Sequence, residues 1–91
     1  MKSLKVKDLI PYNCYRIIIL DEGYYIDIVY MQRVGDTETL IKIMIIEDTD
    51  QAMLAYDKGY VMEWYLSTLA ETIVSIPNNE AAIELAKMID L

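Results

Sequence analysis

Short runs of β-branched and aromatic residues, separated by turn-forming clusters, fill most of the chain, and only its last stretch repeats at helical spacing. Lys5 to Ile10, with VKDLI at its centre, predicts one helical turn before Pro11, because the residue ahead of a proline is pushed out of the α region. Cys14 to Leu20 (CYRIIIL) and Tyr24 to Val34 (YYIDIVYMQRV) favour strand. Asp21-Glu22-Gly23 between them predicts a hairpin turn in which the glycine takes positive φ. In the second run Ile26, Ile28 and Tyr30 share one parity while Asp27 and Arg33 share the other, so one buried and one wetter face are expected. After Gly35-Asp36, Leu40 to Ile46 (LIKIMII) carries Lys42 as its one charge and predicts a central strand covered on both faces.

Gln51 to Tyr65 admits two readings. Glu47-Asp48-Thr49-Asp50 would cap a helix QAMLAYDK stopped by Gly59; alternatively AMLAY-DKG-YVMEWY is a second hairpin. The hairpin is favoured because Asp57-Lys58-Gly59-Tyr60 repeats the turn chemistry of Asp21-Glu22-Gly23-Tyr24 and Tyr60 to Tyr65 is rich in strand formers. Leu66 to Glu71 then predicts a single helical or 3₁₀ turn and Thr72 to Ile76 a fifth short strand. Pro77-Asn78-Asn79 stops that strand, and Asn79 is placed to cap a helix over Glu80 to Ile89 with Ala82, Leu85, Ala86 and Ile89 on one stripe. The alternative is AIELAKMI pairing back on TIVSI as a strand. Together these elements predict a single domain over residues 1–91, mainly β with an α+β character. Its expected form is an SH3-like or Sm-like curved sheet or partly open barrel of about five antiparallel strands with a C-terminal helix.

Composition narrows the chemistry. The chain has no histidine and one cysteine, Cys14, which removes an internal disulfide, His-based acid/base catalysis and imidazole or multi-thiolate zinc sites. Ser3, Ser67 and Ser75 have no histidine to activate them, and the three glycines form neither a phosphate loop nor a dinucleotide fingerprint. The expectation is a protein without catalytic residues, cofactor or metal, with Cys14 as a small core residue. The apolar runs Ile17 to Leu20 and Ile43 to Ile46 are far shorter than the roughly 20 residues of a membrane-spanning helix, and no secretory signal is read at the start. A soluble, cytoplasmic protein is expected.

Charge and aromatics direct attention to binding. Fifteen acidic against eight basic residues give a net charge of −7. The imbalance is uneven: residues 1–16 carry a net +3, leaving −10 for the rest. Such a balance opposes direct binding to nucleic acid. The acids concentrate where turns are predicted, at Asp21 and Glu22, Asp36 and Glu38, Glu47, Asp48 and Asp50, and Asp57. Acids suit turns and keep a small domain in solution; gathered at one end of a barrel, they also form a negative surface for a basic partner. Eight tyrosines and one tryptophan with no phenylalanine are unusual for a core, since each phenol or indole has a polar tip to satisfy. Tyr24, Tyr60 and Trp64 join the acids as candidate partner-binding residues.

The opening VKDLI followed by CYRIIILDEGYYIDIVYM, with a looser echo in EWYLSTLAETIVSI, resembles small phage- and prophage-encoded proteins of unknown function. The resemblance covers roughly residues 5–31 and carries no catalytic motif. What it implies is context: short acidic proteins of mobile elements are often stoichiometric inhibitors, including anti-CRISPR and other anti-defence proteins. The function expected is therefore a non-enzymatic inhibitor of a host nucleic-acid-handling defence enzyme, with an acidic surface competing with nucleic acid for a basic site. The alternative is a self-assembling structural protein whose strand edges and tyrosines pair between identical subunits.

Overall fold

The computed structural model describes residues 3–21, 23–36, 39–49, 59–66 and 71–89. A 3₁₀ turn over Val6–Asp8 is followed by strands β1 (Cys14–Ile19), β2 (Tyr24–Arg33), β3 (Leu40–Asp48), β4 (Val61–Tyr65) and β5 (Glu71–Ser75) and by helix α1 (Glu80–Ile89). The strands form one antiparallel sheet in the order β4-β3-β2-β1-β5, so the last strand returns to pair with the first. The sheet is open, with β4 and β5 at its two edges. This matches the expected curved five-stranded sheet with a C-terminal helix. Gly23, Gly35 and Gly59 all have positive φ, and the first two make the reversals between β1, β2 and β3 possible.

Each face of the sheet has its own apolar cluster. On the first, Ile17 from β1, Ile26, Ile28 and Tyr30 from β2, Ile41, Ile43 and Ile45 from β3 and Ile73 from β5 meet Val6 and Leu9 of the N-terminal segment. Tyr15 and Tyr30 meet edge to face there, with ring centroids 6.5 Å apart, and the Tyr15 hydroxyl accepts a hydrogen bond from the Ile10 N–H at 2.8 Å. That bond satisfies the polar tip of a buried ring. The second cluster is smaller: Cys14, Val29, Met31 and Met44 from the sheet, with Ile83 and Ala86 of α1 laid over them. Alternating residues of β3 reach the two clusters, so the predicted double coverage of that strand is observed.

Two single-residue bulges set which residues belong to which face. Asp27 pairs with Glu47 but Ile28 pairs with Ile45, leaving Ile46 extra in β3. Tyr30 pairs with Ile43 and Gln32 with Lys42, leaving Met31 extra in β2. The second bulge corrects the parity reading: Arg33 lies opposite Ile41, on the face of the first cluster, while Asp27 lies on the helix side. The wetter face expected for β2 is corrected too, because Ile26 to Met31 are all buried, Asp27 included.

Glu47 and Asp48 lie in β3 and not in a loop, because β3 keeps its pairing with β2 through Ile26 and Asp48. Thr49 then continues the contact: its hydroxyl accepts from the Tyr25 N–H at 2.9 Å and donates to the Tyr25 carbonyl at 2.7 Å. Glu71 opens β5, so the turn predicted over Leu66 to Glu71 does not reach it, and residues 67–70 lie outside the described residues. The YVMEWY half of the second predicted hairpin is a strand from Val61, whereas AMLAY and the start of its turn lie outside the described residues. Helix α1 has the predicted bounds, and Asn79 caps it by accepting from the Ala82 N–H at 3.1 Å. Its buried residues are Ile83 and Ala86, with Ala82 partly covered. Leu85 and Ile89 of the predicted stripe are exposed, because the small Ala82 and Ala86 let the helix lie close on the sheet along the neighbouring stripe.

Candidate functional site

One end of the sheet is built from the β1–β2 turn, the start of β5 and the end of β3. Ile19 pairs with both Tyr24 and Glu71, and Ile26 pairs with Asp48, so Asp21, Glu47, Asp48 and Glu71 are brought to this end by three different parts of the chain. Asp21 and Glu47 are exposed, and Asp48 and Glu71 are partly so. Tyr24 stands at the same end, where it packs against the first cluster. Tyr60 lies nearby beside β3, its carbonyl accepting from the Ile45 N–H at 2.8 Å, and is 49% exposed.

Next to this end the helix-side face of the sheet carries a charged cluster. Arg16 of β1 pairs in register with Asp27 of β2, which in turn lies opposite Glu47 of β3. The Arg16 guanidinium donates through Nε to Asp27 Oδ1 at 2.8 Å and through Nη2 to Asp27 Oδ2 at 3.1 Å, the two-pronged geometry that favours arginine over lysine. It also lies 3.7 Å above the centre of the Tyr25 ring. The hydrogen bond to Asp27 pushes the Arg16 pKa up, with the Asp27, Tyr25 and Glu47 charges acting in the same direction against a smaller loss from burial. Asp27 is only 7% exposed, so its carboxylate is covered by its own partner. The Arg16 charge, on a side chain still 35% exposed, is thus engaged by Asp27, and the exposed Glu47 lies in register beside that pair.

The remaining candidates are distributed differently. Asp36 is in the β2–β3 turn at the far end of the sheet, so the predicted acids do not all gather at one end. Glu22, Glu38, Asp50 and Asp57 lie outside the described residues. Trp64 lies opposite Ile41 and packs against the first cluster, as Tyr24 does, which leaves Tyr60 as the exposed member of the three predicted aromatics. Tyr65, at 69% exposed, is more open than any of them. Arg16, Tyr25, Asp27 and Glu71 were not among the candidates. The first three had a readable signal: once the hairpin closes around Gly23, its register places Arg16 opposite Asp27 and puts Tyr25 on the same face.

Cys14 is buried as expected. The Asn79 N–H donates to its Sγ at 3.3 Å, and its own N–H donates to Asn78 Oδ1 at 2.9 Å, so the thiol helps join β1 to the start of α1. Burial pushes its pKa up, which keeps it a thiol and not a nucleophilic thiolate. Among the described residues no three His, Cys, Asp or Glu side chains come close enough to hold a metal ion, and no helix is long and apolar enough to cross a membrane. A separate shallow groove of about 220 Å³ lies between α1 and β3, lined mainly by Met44, Ile46, Gly59, Ala81, Ala82 and Leu85. Compared with known protein families, curated proteins and solved structures, the chain matches none.

Proposed function

We propose that the protein is a non-enzymatic binding protein that sets the acidic end of its sheet against a basic surface on a partner protein. The observation that supports this reading is the grouping of Asp21, Glu47, Asp48 and Glu71 at one end, beside an Arg16 whose charge is engaged by Asp27. Carboxylates grouped at a sheet end act mainly through long-range attraction, which speeds encounter and fixes orientation on a basic patch. In the context that the opening resemblance implies, the partner is a nucleic-acid-handling defence enzyme of the host, and the carboxylates occupy the place of phosphates on its basic cleft.

The test is capture of partners by the tagged full chain from nuclease-treated host lysate, followed by a binding isotherm for the recovered partner. In a series from about 0.05 to 0.5 M salt the affinity is expected to fall steeply, since exposed charges farther apart than a Debye length are screened. Replacing Asp21, Glu47 and Asp48 together with lysine is expected to weaken the complex by at least about tenfold, and nucleic acid to compete with the parent protein. Affinity unchanged by salt and by the triple substitution, in a variant with the parent's circular dichroism, overturns the proposal.

A further inference from the structure

We infer that the outer edge of β4 is a docking strand for an extended, basic segment of a partner protein, which joins the sheet there as a sixth strand. The register of the sheet fixes which main-chain groups that edge presents. The Ile45 N–H donates to the Tyr60 carbonyl at 2.8 Å and the Leu66 N–H to the Thr39 carbonyl at 2.7 Å, at the two ends of the β3–β4 ladder. Main-chain groups of successive residues point to opposite sides of a strand. Tyr60, Met62, Trp64 and Leu66 therefore face β3, and Val61, Glu63 and Tyr65 turn their N–H and C=O groups away from it. Among the described residues none hydrogen-bonds to that outer side. The opposite edge of the sheet differs. On β5 the Ile73 carbonyl accepts from the Leu4 N–H at 2.8 Å and the Ile73 N–H donates to the Ser3 Oγ at 3.4 Å, so the N-terminal segment covers the middle of that strand.

A line of alternating main-chain donors and acceptors is matched by another extended backbone. Val61–Tyr65 pairs with β3 without a bulge and contains neither proline nor lysine, the devices that commonly keep an edge from pairing. The side chains set the pattern of the added strand. On one face its residues lie beside Met62 and Trp64, which are only partly buried against the first cluster, so apolar side chains there extend that core. On the other face they lie beside Val61, Glu63 and Tyr65, of which Glu63 is exposed and Tyr65 is 69% exposed. Glu63 has Lys42 opposite it in β3 and no strand on its outer side. A lysine or arginine placed there meets the Glu63 carboxylate and the face of the Tyr65 ring. The net charge of −7 favours a basic segment further. A second copy of β4 fits this pattern poorly, because in-register antiparallel pairing would set Glu63 against Glu63. From Val61, opposite Met44, the edge runs to Tyr65, opposite Leu40, away from Glu47 and Asp48, so it is a separate surface from the acidic sheet end.

The test is a titration of the isotope-labelled full chain with the acetylated and amidated peptide Lys-Val-Lys-Val-Lys-Val, read by amide chemical shifts. The ladder is short, so a saturable response with a Kd of about 0.1–1 mM is expected, with the largest shifts at the amides of Val61, Glu63 and Tyr65. The same peptide with every backbone N–H methylated keeps its charges and loses its donors, and is expected to bind at least about tenfold more weakly. Glu63→Gln keeps the outward N–H and is expected to weaken binding about two- to fivefold. Glu63→Pro removes that N–H without touching the bonds to β3 and is expected to weaken binding at least about tenfold. The comparison of the two peptides uses the parent chain and stands whether or not the proline variant folds. No saturable response up to about 5 mM peptide, equal affinity for the two peptides, or largest shifts at Asp21, Glu47 and Asp48 overturns the inference. So does a doubling of the 10.6 kDa mass with concentration that Glu63→Pro abolishes, since the edge then serves a second copy.

Discussion

The two faces of the sheet solve the same burial problem in opposite ways. The first face is covered over β1, β2, β3 and β5 by aliphatic and aromatic side chains and closed by Val6 and Leu9. The second is covered by a helix only around Cys14, Val29, Met31 and Met44, and the rest of it carries Arg16, Tyr25, Asp27 and Glu47. The first face stabilises by apolar area removed from water, while the second trades part of that gain for a charged, partly wet surface. A functional surface can therefore be placed on the second face, or at its margin, without opening the main core.

The largest test of this contrast is Ile43→Ala. Ile43 is fully buried in the first cluster, and its truncation is expected to cost about 3–4 kcal/mol in urea denaturation, a large share of the stability of a domain this size. A cost below that of any substitution on the helix side would break the comparison. On the charged part of the second face the two partners are expected to differ. Arg16→Met leaves the buried Asp27 carboxylate unpaired, at about 2–3 kcal/mol, whereas Asp27→Asn leaves an arginine that reaches water and costs about 1 kcal/mol. Equal losses would show that Asp27 is hydrated in solution.

Asn79→Ala is expected to cost about 1 kcal/mol by removing the cap of α1, and to lower its helical signal. The smallest effect is alkaline. Burial raises the pKa of Cys14 above its ordinary 9.0, and that of Tyr30 above its ordinary 10.0. In both cases the unfolded chain loses its proton first, so the contribution to stability is full below those ordinary values and is lost as pH rises towards the native ones. Stability should decline from about pH 9 through the helix-side thiol and again from about pH 10 through the phenol of the first face. In Cys14→Ala the first decline should vanish and the second remain; persistence of both would detach the thiol from the effect.

Much of the architecture was legible because strand periodicity and turn chemistry are local. The hairpin around Gly23, the strands from Cys14, Tyr24 and Leu40, and the helix capped by Asn79 all follow from neighbours a few residues apart. What escaped depends on neighbours distant in sequence. Asp27 reads as a marker of a wet face until Arg16, on another strand, covers it. Glu47 and Asp48 read as loop residues until Tyr25 and Thr49 hold the chain extended beyond them. The face that α1 buries was misjudged because two alanines, and not the bulkiest residues, decide how closely the helix approaches. Of the candidate site, the acids at the β1–β2 turn and the end of β3 were legible, but the contribution of Glu71 needed the pairing of β5 with β1.

The two bulges bear on how such a chain can change length. Met31 is supernumerary in β2 and Ile46 in β3, and beyond them the pairing of the two strands returns to the offset it had before, as Asp27 with Glu47 and Arg33 with Ile41 show. Loss of either residue alone would shift one strand against the other by a single position and turn the residues beyond it inside out. Loss of both would leave the offset at the two ends of the ladder intact. In a lineage of such proteins, deletions at these two positions should be found together or not at all.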